Sequence, residues 1–159
     1  MSSTSQFNFT EIHSNLNEFS FDLQPISSNE LQTNVYEPLD LTKQDLEGNT
    51  ILHLAIKNGD FKKVDFLLQH SNQKNVNLGD RQCKVTPFIL ATKYQNIEII
   101  QLFLNQLPYK GIDYNAKDIF GHTAFHHACK VGSLDVVQLF LQSSKIDYNA
   151  LNNAEDCVL

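Results

Sequence analysis

The sequence has no tryptophan, and its one methionine is Met1. Four prolines and six glycines in 159 residues are too few for a collagen-like or low-complexity chain. The glycines are scattered and form no phosphate-cradling Gly-rich loop. No stretch approaches eighteen consecutive apolar residues, so no helical membrane span is expected. The three cysteines, Cys83, Cys129 and Cys157, cannot all pair and keep no zinc-type spacing, which suits a reducing compartment. Excess positive charge is also absent. The net charge is −6 with a pI near 5.4, whereas a generic nucleic-acid binder is basic. The N-terminus lacks the basic flank and apolar core of a secretory signal. Ser2 excludes N-myristoylation, and Cys157 stands third from the end where a prenylation box needs it fourth. These absences lead to an expected cytoplasmic location, with the nucleus open, and to no nucleic-acid or membrane partner.

What is present is unevenly distributed. Residues 1–44 carry six acids, Glu11, Glu18, Asp22, Glu30, Glu37 and Asp40, against the single base Lys43. The rest of the chain is nearly neutral. Residues 1–26 read as a disordered acidic leader rich in Ser, Asn and Thr, with Phe7, Phe9, Phe19 and Phe21 interspersed. Such a segment either folds onto a partner or serves as a solubilising tail; one consequence of the first reading is competition with acidic partners for the body.

From Asp45 the chain repeats itself. Thr50, Thr86 and Thr123 are 36 and 37 residues apart, as are Ala55, Ala91 and Ala128, and Lys57, Lys93 and Lys130. Each unit has a short apolar run, such as Ile51 to Ala55, and a second run at helical spacing, such as Val136 to Leu141. Gly59 and Gly132 stand where a left-handed residue ends the first helix. A polar segment, Ile112 to Asp118 or Ile146 to Ala150, follows the second run and reads as an extended turn. Leu139 has the position of a buried second-helix leucine.

The segments Thr50-Ile51-Leu52-His53-Leu54-Ala55, Thr86-Pro87-Phe88-Ile89-Leu90-Ala91 and Thr123-Ala124-Phe125-His126-His127-Ala128 resemble the Thr-Pro-Leu-His-x-Ala signature of the ankyrin-repeat family. The resemblance covers roughly residues 40–159. It implies an all-α solenoid of stacked helix–turn–helix units joined by β-hairpin loops. Repeat 1 would span residues 45–79, repeat 2 residues 80–117 and repeat 3 residues 118–151. A degenerate cap at 27–44 precedes them, and 152–159 begins a fourth unit. The units exceed the family period by three or four residues, in loops after the second helix. The middle unit departs most: Gln95 replaces the helix-ending glycine, and Ile89 replaces the signature histidine.

The resemblance also implies a non-catalytic, monomeric module that binds a partner protein, with an acidic peptide segment as one candidate target. The binding positions would be the concave groove and hairpin tips: Lys57, Asn58, Lys93, Tyr94, Ile119, Phe120, His122, Lys130 and Val131. The three lysines read equally as a solvated face or as a stripe for acidic peptide. Ile119 and Phe120 in a turn have no evident core role. A more specific version resembles the ankyrin body of NF-kappa-B inhibitors, although no Asp-Ser-Gly degron is present. Asn115 and Asn149 occupy the slot that asparaginyl hydroxylases modify in the family, and turn chemistry alone also explains Asn there.

The alternative of another class is a metal or enzymatic site in the cluster His122, His126, His127 and Cys129. His122 and His126 have the i, i+4 spacing of paired ligands. Against it, His126 fills the signature slot, and a nucleophilic Cys129 needs a lowered pKa and a cleft. The sequence therefore leads to no cofactor, no metal and no catalytic residue.

Overall fold

The computed structural model describes residues 40–105 and 111–156. The leader at 1–26, most of the expected cap at 27–44, and Cys157 lie outside the described residues. Among the described residues seven helices follow one another: α1 (Ile51–Lys57), α2 (Phe61–His70), α3 (Gln73–Val76), α4 (Pro87–Lys93), α5 (Ile97–Asn105), α6 (Ala124–Val131) and α7 (Leu134–Leu141). In each unit an inner helix packs on an outer one, α1 on α2, α4 on α5 and α6 on α7. The inner helices α1, α4 and α6 touch in succession, and α2 touches α5. Among the described residues no helix is long and apolar enough to cross a membrane.

The repeated threonines start the inner helices. The side chains of Thr50, Thr86 and Thr123 accept from the amides of His53, Ile89 and His126, satisfying an otherwise orphaned donor. Pro87 adds a pre-set φ at the first turn of α4. Ala55, Ala91 and Ala128 are buried without bulk, so neighbouring inner helices approach closely. Of the outer helices, α2 is capped by Asp60, which accepts from the Lys63 amide, and Asn96 accepts from the Ile99 amide. Ser133 makes no such side-chain bond before α7.

The inner helices end in the same way whether or not glycine is present. Gly59 has φ 66°, Gln95 φ 54° and Gly132 φ 75°. The Gly59 amide donates to Ile56 and Asp60 to Ala55; Gln95 donates to Thr92 and Asn96 to Ala91. That paired pattern needs a left-handed residue, and in the middle unit a glutamine supplies it. Gln95→Gly should therefore stabilise the protein by up to about 1 kcal/mol. Urea unfolding followed by far-UV circular dichroism checks this, and a clear loss of stability would mean that Gln95 makes a contact outweighing its strain.

Two local expectations are modified. The linker between Leu68 and Asp80 is not a plain loop but contains the one-turn helix α3. Asn72 accepts from the amides of Lys74 and Asn75, while Asn75 returns an acceptor to Asn72, so paired asparagines cap the turn. The connecting loops are hairpin-shaped but, among the described residues, contain no strand; a single bridge joins Gln44 and Thr50. The reason is local. Aspartate side chains, and not a neighbouring strand, take the backbone donors: Asp45 from Asn49, Asp80 from Cys83 and Asp118 from Phe120 and His122. The second loop is one residue longer than the others, and Lys84 absorbs the extra residue at φ 55°.

The core runs along the stack and centres on Phe88, Phe103, Phe125 and Phe140, all buried. In α7 the buried positions are Val136 and Phe140. Leu139, which the sequence pattern places in the core, is only half-buried, because α7 turns its Val136–Phe140 stripe inward.

Candidate functional site

The loop tips form a continuous row. The Arg81 amide donates to Glu47 O, Ile119 to Cys83 O and Asn153 to Phe120 O, so each tip is hydrogen-bonded to the next. The row carries apolar side chains that face solvent. Leu46 is 96% exposed and Phe120 57%, with Ile119 also exposed beside it. Sequence reasoning named Ile119 and Phe120 but missed Leu46. The signal was available, since Asp45-Leu46-Glu47-Gly48 matches Asp118-Ile119-Phe120-Gly121.

A second row follows the ends of the inner helices. Asn58, Lys93, Tyr94, Lys130 and Val131 are all exposed there. Lys57 differs, being half-buried with its ammonium 3.6 Å from Glu47 of its own loop. That ion pair ties the end of α1 to the first tip and shows that the two rows border one surface. Among the described residues Lys93 and Lys130 form no ion pair, so of the three repeated lysines only Lys57 is paired.

The histidines separate by role. Thr50 donates its amide to His53 Nδ1 at 3.1 Å, which leaves the proton on Nε2 to donate to Val85 O at 2.9 Å. His53 thus clamps the first unit to the second, and burial pushes its pKa down against the opposing pull of Val85 O and Asp80. His126 repeats the inner half of this arrangement, with Nδ1 2.9 Å from Thr123 Oγ1. Its Nε2 is buried with no hydrogen bond of full geometry among the described residues. The Asp156 backbone, the counterpart of Val85, nevertheless favours its charged form, while burial pulls the pKa down. The residues weighed as an alternative site thus have different partners, although the rings of His122 and His126 stay 5.6 Å apart. His126 is turned to its own helix cap. Burial raises the Cys129 thiol, the opposite of what a thiolate nucleophile needs.

His122 and His127 instead converge on Asp118, a residue the sequence reading did not include. Asp118 Oδ2 lies 2.9 Å from His127 Nε2 and 3.8 Å from His122 Nδ1. Asp118 Oδ1 is held by the amides of Phe120 and His122, each at 2.9 Å. Burial pushes the Asp118 carboxyl up, but the bonds from His127, His122 and Phe120 outweigh it and hold it below the usual range. Burial lowers the His127 pKa despite its bond to Asp118.

Asn115 spans two loops, its amide nitrogen 3.2 Å from Lys145 O and its carbonyl accepting from the Asp147 amide at 2.8 Å. Asn77 does the same one unit earlier, towards Gly111 and Asp113. Asn149 lies in the matching slot and is exposed.

The family profile described as ankyrin repeats, in three copies, matches residues 28–118 and 72–152. A Saccharomyces cerevisiae protein named as the 26S proteasome regulatory subunit p28 is 33% identical over 106 residues, covering 66% of this chain and 45% of its own length. The human transient receptor potential cation channel subfamily A member 1 is 29% identical over 105 residues, 64% of this chain and 9% of the channel. An ankyrin repeat protein of Rickettsia felis is 37% identical over 75 residues, 46% of this chain and 23% of that protein. The chain thus spans less than half the length of each of these relatives. The stacked inner and outer helices, the threonine and histidine caps and the matched profile together establish that this chain belongs to the ankyrin-repeat family.

Proposed function

We propose that the chain is a non-catalytic protein-binding module that engages its partner with the loop tips and the adjoining ends of the inner helices. The observation that carries this reading is the exposure of Leu46 and Phe120 on loops whose shape does not depend on them. Exposed apolar side chains on the first and third tips, with the polar Arg81 and Gln82 on the tip between them, offer separate anchors for one partner. Lys93 and Lys130 on the neighbouring row favour a partner segment with acidic residues, and add attraction that salt weakens. The yeast relative is named as a subunit of a protein assembly, which agrees with a protein partner.

Capture from a lysate with the intact chain, compared with a Leu46→Ser/Phe120→Ser variant, tests the reading. Removing two apolar anchors is expected to weaken the captured complex by about 30-fold or more, the scale of one interface hot spot. The melting temperature should hardly change, because neither side chain is in the core. Lys93→Glu with Lys130→Glu should weaken the same complex most at low salt. Undiminished capture by the Leu46/Phe120 variant would move the interface elsewhere. The modification reading extends to Asn149, whose exposure leaves it more accessible than the clamped Asn115. Mass spectrometry after treatment with an asparaginyl hydroxylase should then find a 16 Da gain (about one oxygen atom) at Asn149 before Asn115.

A further inference from the structure

Asp118, His122 and His127 each offer one ligand atom, and the three atoms lie within 4.8 Å of one another. The aspartate has a counterpart in every unit, Asp45 and Asp80, and all three bind loop amides. The histidines have none. At the position of His122 the first two units hold Asn49 and Val85, and at that of His127 they hold Leu54 and Leu90. The loop and the inner helix therefore form without them, and nothing in the packing of the repeat requires two imidazoles there. Their rings stand 5.6 Å apart, centre to centre, and each presents a nitrogen to the same fixed carboxylate oxygen.

We propose that Asp118, His122 and His127 form a binding site for a divalent transition-metal ion of the zinc type. Ligand atoms about 2.0–2.2 Å from zinc in a tetrahedron lie roughly 3.3 Å apart. The separations of 2.9 Å and 3.8 Å from Asp118 Oδ2 to His127 Nε2 and His122 Nδ1 straddle that value. The two largely buried rings must turn to bring all three atoms, which lie within 4.8 Å of one another, to that spacing, while Asp118 is already held by its two amide donors. The donor set of two imidazoles and one carboxylate suits zinc, and leaves one position for water. The proton count is simple. His127 shares its Nε2 proton with Asp118 in the structure; the ion takes that place and the proton moves to Nδ1, so no net proton is released by this residue.

The outer contacts make the site weaker than it might be built. Metal on His122 Nδ1 leaves its proton on Nε2, which then faces the Asn152 amide nitrogen at 3.4 Å. A carboxylate would serve better there, because a ligand histidine ordinarily donates its other N–H to an acceptor. Asn152 Oδ1 already holds the amides of Ala154 and Asp156, a task one oxygen of an aspartate can keep.

Zinc chloride titrated into the intact chain against a chromophoric chelator tests the site. One equivalent should bind, and the melting temperature should rise with free zinc as expected for a ligand of the folded state. His127→Leu and His122→Asn, which install the residues of other units, should each weaken binding by more than about tenfold while the metal-free protein keeps its helical circular dichroism. Asn152→Asp should tighten binding by about tenfold, a change that a purely structural Asp118–His127 contact does not foresee. No zinc uptake by the intact chain at micromolar free metal would overturn the proposal. So would uptake that His122→Asn and His127→Leu leave unchanged, since the ion would then be held elsewhere.

Discussion

Replacing Phe88 with alanine is expected to destabilise the protein by about 3–5 kcal/mol. The ring is 1% exposed and belongs to α4, the central inner helix. It meets Phe103 of α5 at 5.5 Å, the edge of Tyr114 at 5.2 Å and Phe140 of α7 at 5.6 Å, measured between centroids. One side chain thus joins both helices of the middle unit, the following loop and the outer helix of the next unit. Its removal takes away burial and leaves a cavity among rings that cannot collapse freely. Domain stabilities are only about 5–15 kcal/mol, so the loss consumes much of the margin. The site of the loss matters too. In a solenoid each unit is held by its own stability and by nearest-neighbour interfaces. Weakening the interface between the second and third units should make unfolding less cooperative, with a broader urea transition. Far-UV circular dichroism and tyrosine fluorescence measure both effects, there being no tryptophan. Leu139→Ala, at a half-buried position, should cost clearly less. Equal costs at Phe88 and Leu139 would contradict the central place assigned to the ring.

Gly48→Ala is expected to cost about 2–4 kcal/mol, a large effect for one methyl group on a loop. Gly48 has φ 88°, where a side chain is strained by about 1–2 kcal/mol. A Cβ there would also overlap the Arg81 backbone nitrogen, which belongs to the next loop and is held by its bond to Glu47 O. The two loops would have to part. Their separation gives up that bond and disturbs Gln44 Nε2, which donates to Gly48 O and Gly79 O, each bond contributing about 1 kcal/mol. Because the row of tips is continuous, the change should also alter the surface that carries Leu46. A thermal melt and the capture assay on the same variant report the two consequences separately. A variant as stable as the parent would show that the first and second tips are not in contact in solution.

The repeat, its period, the starts and ends of the inner helices and the family were legible in the sequence. They rest on local chemistry: a threonine cap, a small residue on the packing face, a left-handed stop. The Gln95 stop was legible as an exception, and the structure keeps the left-handed turn because the bonds from Gln95 and Asn96 to Thr92 and Ala91 require it. What lay beyond the sequence was decided by contacts across units. That Leu46 is bare, that Lys57 is paired with Glu47 while Lys93 and Lys130 stand open, and that α7 buries Phe140 more deeply than Leu139 all depend on where neighbouring elements come to rest. The histidines show the division most clearly. Sequence spacing grouped His122 with His126 because i, i+4 residues share a helix face. The structure puts His122 in the loop before α6 and keeps its ring 5.6 Å from that of His126, yet His126 bonds its own cap while Asp118 gathers His122 and His127. Only the folded loop brings an aspartate nine residues away within hydrogen-bonding distance of His127.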